Sequence, residues 1–145
     1  SMTFPATANV ILLQRMKPVL VDIESGTLLI DPKKIEEKIT PRTRAIIPVH
    51  FAGHPCDMDT INTLAERYNL LVIEDAAHAL ETKFKGKKVG NMGNTTSFSF
   101  YANKNITTGE GGMVVTDDDD LAEQFQTMRL QGISRDPWKR YGKSG

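Results

Sequence analysis

Lys104 is the side chain in this sequence best set for covalent chemistry. It follows Ser97-Phe98-Ser99-Phe100-Tyr101-Ala102-Asn103, whose aromatic/serine alternation reads as a buried strand. It precedes the turn Gly109-Glu110-Gly111-Gly112 and the apolar run Met113-Val114-Val115. Upstream, the apolar run Leu70-Leu71-Val72-Ile73 ends in Glu74-Asp75-Ala76-Ala77-His78. An amine and a carboxylate, each just past a buried strand, suit a site that grips an aldehyde cofactor at both ends. Lys104 is then a candidate Schiff-base lysine, the plainer alternative being a surface lysine at a strand-end turn. Such a lysine sheds its proton near neutral pH only when desolvated or set beside positive charge. Phe98, Phe100 and Tyr101 are expected to supply the desolvation.

Asp75 is the expected partner, because a carboxylate beside a pyridine nitrogen keeps that nitrogen protonated and the ring electron-withdrawing. The small Ala76 and Ala77 allow a flat ring to approach. Adjacent strand residues alternate faces, so Glu74 is expected to point the other way. His78 is a candidate donor to the ring hydroxyl, Ser99 a candidate phosphate ligand and Phe4 a candidate to stack on a ring face. Each of the three is also at home as an ordinary structural residue. Asp117-Asp118-Asp119-Asp120 reads as a solvated helix start rather than a metal site. His50 and His54 flank Gly53 and Pro55 in a loop, which argues against a helical metal pair.

The elements that must position these residues alternate between helical and strand-like segments, without repeats or low-complexity linkers. Pro5 suits the first turn of a helix whose apolar face carries Val10, Leu13 and Met16. Val19-Leu20-Val21-Asp22 reads as a short strand. Asp31-Pro32 opens a helix stopped by Pro41, and Ala45-Ile46-Ile47-Pro48-Val49 reads as a buried strand. Asp57 or Asp59 caps a helix with Ile61, Leu64, Ala65 and Tyr68 on one face. A small hairpin is expected around Thr82 to Val89 with Gly86 at its turn, then strands at Thr96–Phe100 and Gly112–Thr116. Thr116 or one of the aspartates after it caps a last helix bearing Leu121, Phe125 and Met128. This order predicts an α/β fold, a mainly parallel sheet with helices on both faces. Ligands in such sheets gather at the carboxyl ends of strands, where Asp22, His50, Asp75 and Lys104 are all expected.

The bulk numbers exclude some classes. With 145 residues the chain suffices for one domain, and 18 basic against 18 acidic side chains give no pull toward nucleic acid or an anionic membrane. No apolar run approaches the roughly twenty residues of a membrane span, and no signal-peptide pattern opens the chain. Cys56 is the single cysteine, which favours a reducing compartment and a cytoplasmic setting. Both ends, Ser1-Met2-Thr3 and Lys143-Ser144-Gly145, read as cut from a longer chain.

Val-Ile-Glu-Asp-Ala-Ala-His-Ala (72–79), Phe-Ser-Phe-Tyr-Ala-Asn-Lys-Asn-Ile-Thr-Thr-Gly-Glu-Gly-Gly (98–112) and Pro-Val-His-Phe-Ala-Gly (48–53) resemble the DegT/StrS sugar aminotransferases. The likeness runs from Thr3-Phe4 to about Gly132. It implies the fold type I aminotransferase architecture, with residues 1–145 as the central part of the large domain. The N-terminal phosphate-cup segment and the C-terminal small domain would then be absent. It implies pyridoxal 5'-phosphate as cofactor, Lys104 as its covalent anchor and acid/base, and Asp75 on the pyridinium nitrogen. His78 would stand beside the ring hydroxyl, Ser99 at the phosphate and Phe4 over the ring. The family's dehydratase branch carries histidine in place of the lysine, so Lys104 implies a transaminase.

The implied reaction moves an amino group from glutamate to a nucleotide-linked keto-sugar in cell-surface or secondary polysaccharide biosynthesis. The sequence is similar to enzymes that aminate a 4-keto sugar, such as the UDP-4-amino-4-deoxyarabinose transaminases. A homodimer is implied, since such sites borrow residues from a second subunit. The 145-residue piece alone is expected to be inactive and to bind the cofactor weakly. A non-catalytic binding or regulatory module retaining the fold is the alternative. A receiver-like signalling domain needs an acid pair after the first strand, where Asp22 stands alone.

Overall fold

A computed structural model describes residues 2–133 of the chain. The predicted Lys143-Ser144-Gly145 end lies outside the described residues. Helix α1 (Pro5–Leu13) starts with proline in its first turn, as expected from a ring that fixes φ and needs no amide partner there. Helix α2 (Pro32–Glu36) is capped by Asp31, whose carboxylate accepts from the Lys33 amide. Asp57 caps helix α3 (Met58–Tyr68) through the Thr60 amide, and Asn69 closes it in the left-handed region at φ 52°. Asp118 caps helix α4 (Asp119–Met128) by accepting from Leu121, so the acidic run serves as a helix start.

Four strands form one sheet, β1 (Ala45–Ile46), β2 (Leu71–Asp75), β5 (Thr95–Ser99) and β6 (Gly112–Val115), in the order β1-β2-β5-β6. The β1–β2 and β2–β5 pairs are parallel, and β5–β6 is antiparallel. A separate hairpin joins β3 (Lys83–Phe84) to β4 (Lys87–Lys88). Its loop residues Lys85 and Gly86 both take positive φ, 47° and 86°, as a two-residue hairpin turn requires. The sheet is therefore mainly parallel, as expected.

The sheet's two faces differ. Val72, Glu74, Thr96 and Phe98 are all buried, and α2 and α3 cover the part near β1 with Ile35, Met58, Ile61, Leu64 and Ala65. A second cluster, Ala76, Ala79, Val89 and Phe98, packs the hairpin side of the core. Ile73, Asp75, Ser97 and Ser99 face the other way and are half-buried. Thr7 of α1 reaches this second face by hydrogen bonding to Asp75.

Two sequence expectations need correction. Val19-Leu20-Val21-Asp22 forms no strand; instead Ile23 bridges Ile30 antiparallel, and Asp31 N–H donates to Asp22 O as the chain doubles back. Val19 and Leu20 stay exposed, and among the described residues no strand pairs with them. The strand expected over 45–49 is a ladder of only two residues, because Pro48 has no N–H to donate. Pairing resumes beyond the proline, where Val49 bridges Asp75, Asp75 N–H donates to Pro48 O and His50 N–H donates to Asp75 O.

A buried polar network locks this edge. His50 and Glu74 are both fully buried, with Nε2 to Oε2 at 2.8 Å. The Cys56 amide donates to Nδ1 at 3.1 Å, so the ring proton sits on Nε2 and is donated to Glu74. Asn94 donates to the other Glu74 oxygen at 2.8 Å. Burial, and next the Glu74 charge, push the Cys56 thiol up to about 12.

Two outcomes follow from this network. Replacing His50 by alanine leaves a buried carboxylate short of a donor, and chemical denaturation should show a loss of about 3 kcal/mol or more. Cys56 should resist thiol reagents at pH 8 in native protein and react in denaturant. The unfolded thiol ionises first, so the stability tied to Cys56 is complete below the ordinary thiol value of 9.0 and declines as pH rises toward 12. Denaturation midpoints at pH 8 and pH 10, compared with Cys56→Ala, test that sign.

Candidate active site

The path from β5 to β6 is built by hydrogen bonds that leave Lys104 at its turn. Phe100 N–H donates to Gly111 O at 2.8 Å while Phe100 O accepts from Thr108 N–H at 3.0 Å, so one residue closes both ends of the excursion. Lys104 N–H donates to Tyr101 O at 3.0 Å, making the turn that carries the lysine. The Thr107 hydroxyl accepts from the Gly109 amide, and the Thr108 hydroxyl donates to Glu110 O at 2.9 Å. A methyl group on Gly111 would collide with the Thr108 hydroxyl, so any larger residue here must displace that side chain and its bond to Glu110.

Lys104, Ser99 and His78 line one cavity of ≈ 160 Å³, together with Ala52, Ala77 and Asn103. The cavity lies where β5 ends and the segment after β2 begins. Lys104 is half-buried, and among the described residues its amine is in no ion pair. Of the three aromatics expected to desolvate it, Phe98 is buried, Phe100 half-buried and Tyr101 exposed. The Ser99 hydroxyl oxygen accepts from the Tyr101 amide at 3.4 Å, which leaves its proton for an anion. His78 Nδ1 accepts from the Ala52 amide at 3.3 Å, and its ring meets Phe51 edge-on at 6.2 Å. A neutral His78 then carries its proton on Nε2, as a donor.

Asp75 ends β2 on the open face, opposite Glu74, as the strand alternation predicts. It is not among the cavity's lining residues, but its Oδ1 accepts from the amide of Ala77, which is. Its Oδ2 accepts from the Thr7 hydroxyl at 2.6 Å. Phe4 stands at the N-cap of α1, 74% exposed and outside the cavity lining.

Two residues expected near the ligand are elsewhere. Asp22 is exposed and ion-paired with Lys34 at 3.0 Å. The Lys34 hydrogen bond, then the Ile23 amide, hold its carboxyl below the usual carboxylate range. His50 turns its ring into the core toward Glu74, so only its backbone serves Asp75. Sequence reasoning missed Thr7 and Ala52. Thr7 carried a faint signal, since it lies three residues past Phe4 on the same helical side. Ala52 carried none, because its left-handed φ of 53° is not an alanine preference.

The donor set fits a phosphorylated pyridine aldehyde: an amine, a hydroxyl and an imidazole share the cavity, and a carboxylate stands at the adjacent strand end. The loop geometry is directly testable. Gly111→Ala should lower stability by about 1–3 kcal/mol in thermal unfolding, as overpacking does. Thr108→Ala should relieve most of that loss in the double variant, because it removes the colliding hydroxyl.

Comparison with known proteins identifies relatives of this chain and its fold. The chain is 63% identical over 143 residues to an uncharacterised protein of Methanocaldococcus jannaschii, covering 99% of this chain and 37% of that protein. It is 49% identical over 144 residues to the spore coat polysaccharide biosynthesis protein SpsC of Bacillus subtilis, with the same coverages of 99% and 37%. Among solved structures, PseC of Helicobacter pylori, an aminotransferase involved in the biosynthesis of pseudoaminic acid, superposes with a TM-score of 0.88 at 37% identity, over 93% of this chain and 36% of PseC. DesI, crystallised in the presence of its TDP-sugar product, gives a TM-score of 0.87 at 38% identity, over 92% and 34% of the two chains. The chain thus spans about 37% of the length of the curated relatives it matches. The family profile covers residues 1–145 throughout, and this chain belongs to the DegT/DnrJ/EryC1/StrS aminotransferase family.

Proposed function

We propose that this chain is the cofactor-holding core of a pyridoxal 5'-phosphate-dependent aminotransferase that takes its amino group from glutamate and gives it to a nucleotide-linked keto-sugar, in polysaccharide biosynthesis. The observation that carries the proposal is the single cavity holding Lys104, Ser99 and His78 at the ends of adjacent strands, in a chain of this family. When bound, pyridoxal phosphate supplies the electron sink that stabilises a carbanion formed at the carbon losing a proton.

The chain's own residues supply the rest. Lys104 is the only amine among the cavity's lining residues, and it is assigned as covalent anchor and as the base that holds and returns the migrating proton at Nζ. Asp75 is assigned to the ring nitrogen, with each oxygen keeping a lone-pair site beyond those used by Thr7 and Ala77. His78 offers Nε2–H to the ring hydroxyl, and the Ser99 proton goes to a phosphate oxygen. Phe4 is assigned to the ring face. The TDP-sugar product of DesI supports a nucleotide sugar as acceptor, and the role of SpsC in spore coat polysaccharide supports the pathway class. A homodimer that completes the site, acting in the cytoplasm, belongs to the same proposal. Among the described residues no helix is long and apolar enough to cross a membrane.

The test uses the full-length protein containing this chain. With pyridoxal phosphate and glutamate it should convert the yellow cofactor to its amine form and release 2-oxoglutarate, and a panel of keto-sugar nucleotides should reverse the change. Borohydride should fix the cofactor to the peptide containing Lys104. Lys104→Ala should lower turnover by about 10³-fold or more while leaving the fold intact by circular dichroism. A protein that folds yet never turns yellow would leave a binding module as the better reading.

A further inference from the structure

We propose that Thr7 is a positioning residue, which sets the carboxylate of Asp75 and keys helix α1, with Phe4 at its N-cap, to that carboxylate. The inference rests on the reading that Asp75 meets the ring nitrogen of the cofactor. Its foundation is a hydrogen bond spanning 68 residues of sequence, Thr7 Oγ1 to Asp75 Oδ2 at 2.6 Å, in a partly buried setting. A carboxylate only accepts, so the threonine hydroxyl must donate, and its proton is committed to Asp75. The distance is within the range of a hydroxyl donating to an ionised carboxylate.

The bond does two things at once. Oδ1 of Asp75 is held by the Ala77 amide at 3.1 Å and Oδ2 by Thr7, so the plane of the carboxylate is fixed from both ends. Without Thr7 the carboxylate keeps one local tether, two residues along its own chain, and is free to turn about it. The bond also anchors a helix that has little else to hold it. No residue of α1 is fully buried, and Thr7 makes its sole side-chain hydrogen bond to another element among the described residues. Phe4 is the N-cap of α1, and its carbonyl accepts from the Thr7 amide at 3.1 Å, so the backbone ties the two residues together. Pinning Thr7 to the acid therefore sets where Phe4 stands relative to it. One hydroxyl coordinates the group meant for the ring's edge with the group meant for its face.

The experiment is a binding cycle on the full-length protein, with pyridoxal phosphate as probe. Dissociation constants come from equilibrium dialysis of apo-protein, and the pH titration of the bound cofactor's absorption band is followed in parallel. Thr7→Val keeps the shape and removes the hydroxyl. It should weaken binding about tenfold and displace the titration of the band, because a hydrogen bond to a charged group is lost. Thr7→Ser should restore both to within about threefold. In an Asp75→Ala background Thr7→Val should have almost no further effect, since the threonine acts through the acid. Three results would overturn the inference: Thr7→Val binding as tightly as the parent, Thr7→Ser failing as badly as Thr7→Val, or an equal loss in the presence and absence of Asp75. If the unsubstituted protein binds no pyridoxal phosphate, the proposed function itself falls and this inference falls with it. That result is distinct from the other three, all of which require a binding parent.

Discussion

The organisation of this chain turns on the two-residue period of β2 at Glu74 and Asp75. A strand sends consecutive side chains to opposite faces, so two adjacent carboxylates enter different environments. Glu74 goes inward, where burial demands donors, and finds His50 and Asn94. Asp75 goes outward, where Thr7 and Ala77 hold it at the edge of the open face. A slip of one residue would place Asp75 in the core and Glu74 on the open face. The Glu74 network makes that slip costly, because Glu74 would lose its hydrogen bonds to His50 and Asn94. The fully buried pair thus acts as a register mark for its neighbour.

The amine side of the site is organised differently. Asp75 is fixed by strand pairing, whereas Lys104 is fixed by a loop whose two ends meet at Phe100. Antiparallel pairing of β6 with β5 makes this possible, since it brings the chain straight back beside the strand it left. Gly111 lets the returning backbone pass close to Thr108. The sheet therefore holds the acid rigidly and presents the amine on a short, hydrogen-bonded arm. Such a division suits chemistry in which one group keeps a cofactor in place while the other reaches several atoms in turn.

Much of this was legible in the sequence because local rules dominate locally. The caps Asp31, Asp57 and Asp118, the Lys85-Gly86 turn and the opposition of Glu74 to Asp75 depend on near neighbours and follow from residue type and spacing. Of the residues expected at strand ends only Lys104 lines the cavity, while Ser99 and His78, open on residue type alone, drew their cofactor roles from the family resemblance. Contacts between distant residues were not legible. Val19-Leu20-Val21 has the composition of a strand, but a strand also needs a partner, and the sequence does not say that none lies beside it. Pro48 signalled a broken ladder, and its effect was underestimated because pairing resumes one residue later through Pro48 O. His50 looked like a ligand at a strand end, yet the Cys56 amide and Glu74 claim both ring nitrogens. Thr7 lay hidden for the same reason, since its partner is 68 residues away.

The hydrogen bond from the Lys104 amide to the Tyr101 carbonyl has a consequence for how such a protein diversifies. The turn at residue 104 is shaped by main-chain atoms, and the closure at Phe100 is also made by main-chain atoms. Neither depends on the side chain at the tip. The scaffold is thus indifferent to the side chain at position 104, and a substitution there leaves these main-chain hydrogen bonds in place. The shape of this loop and the identity of the side chain it presents are therefore separable.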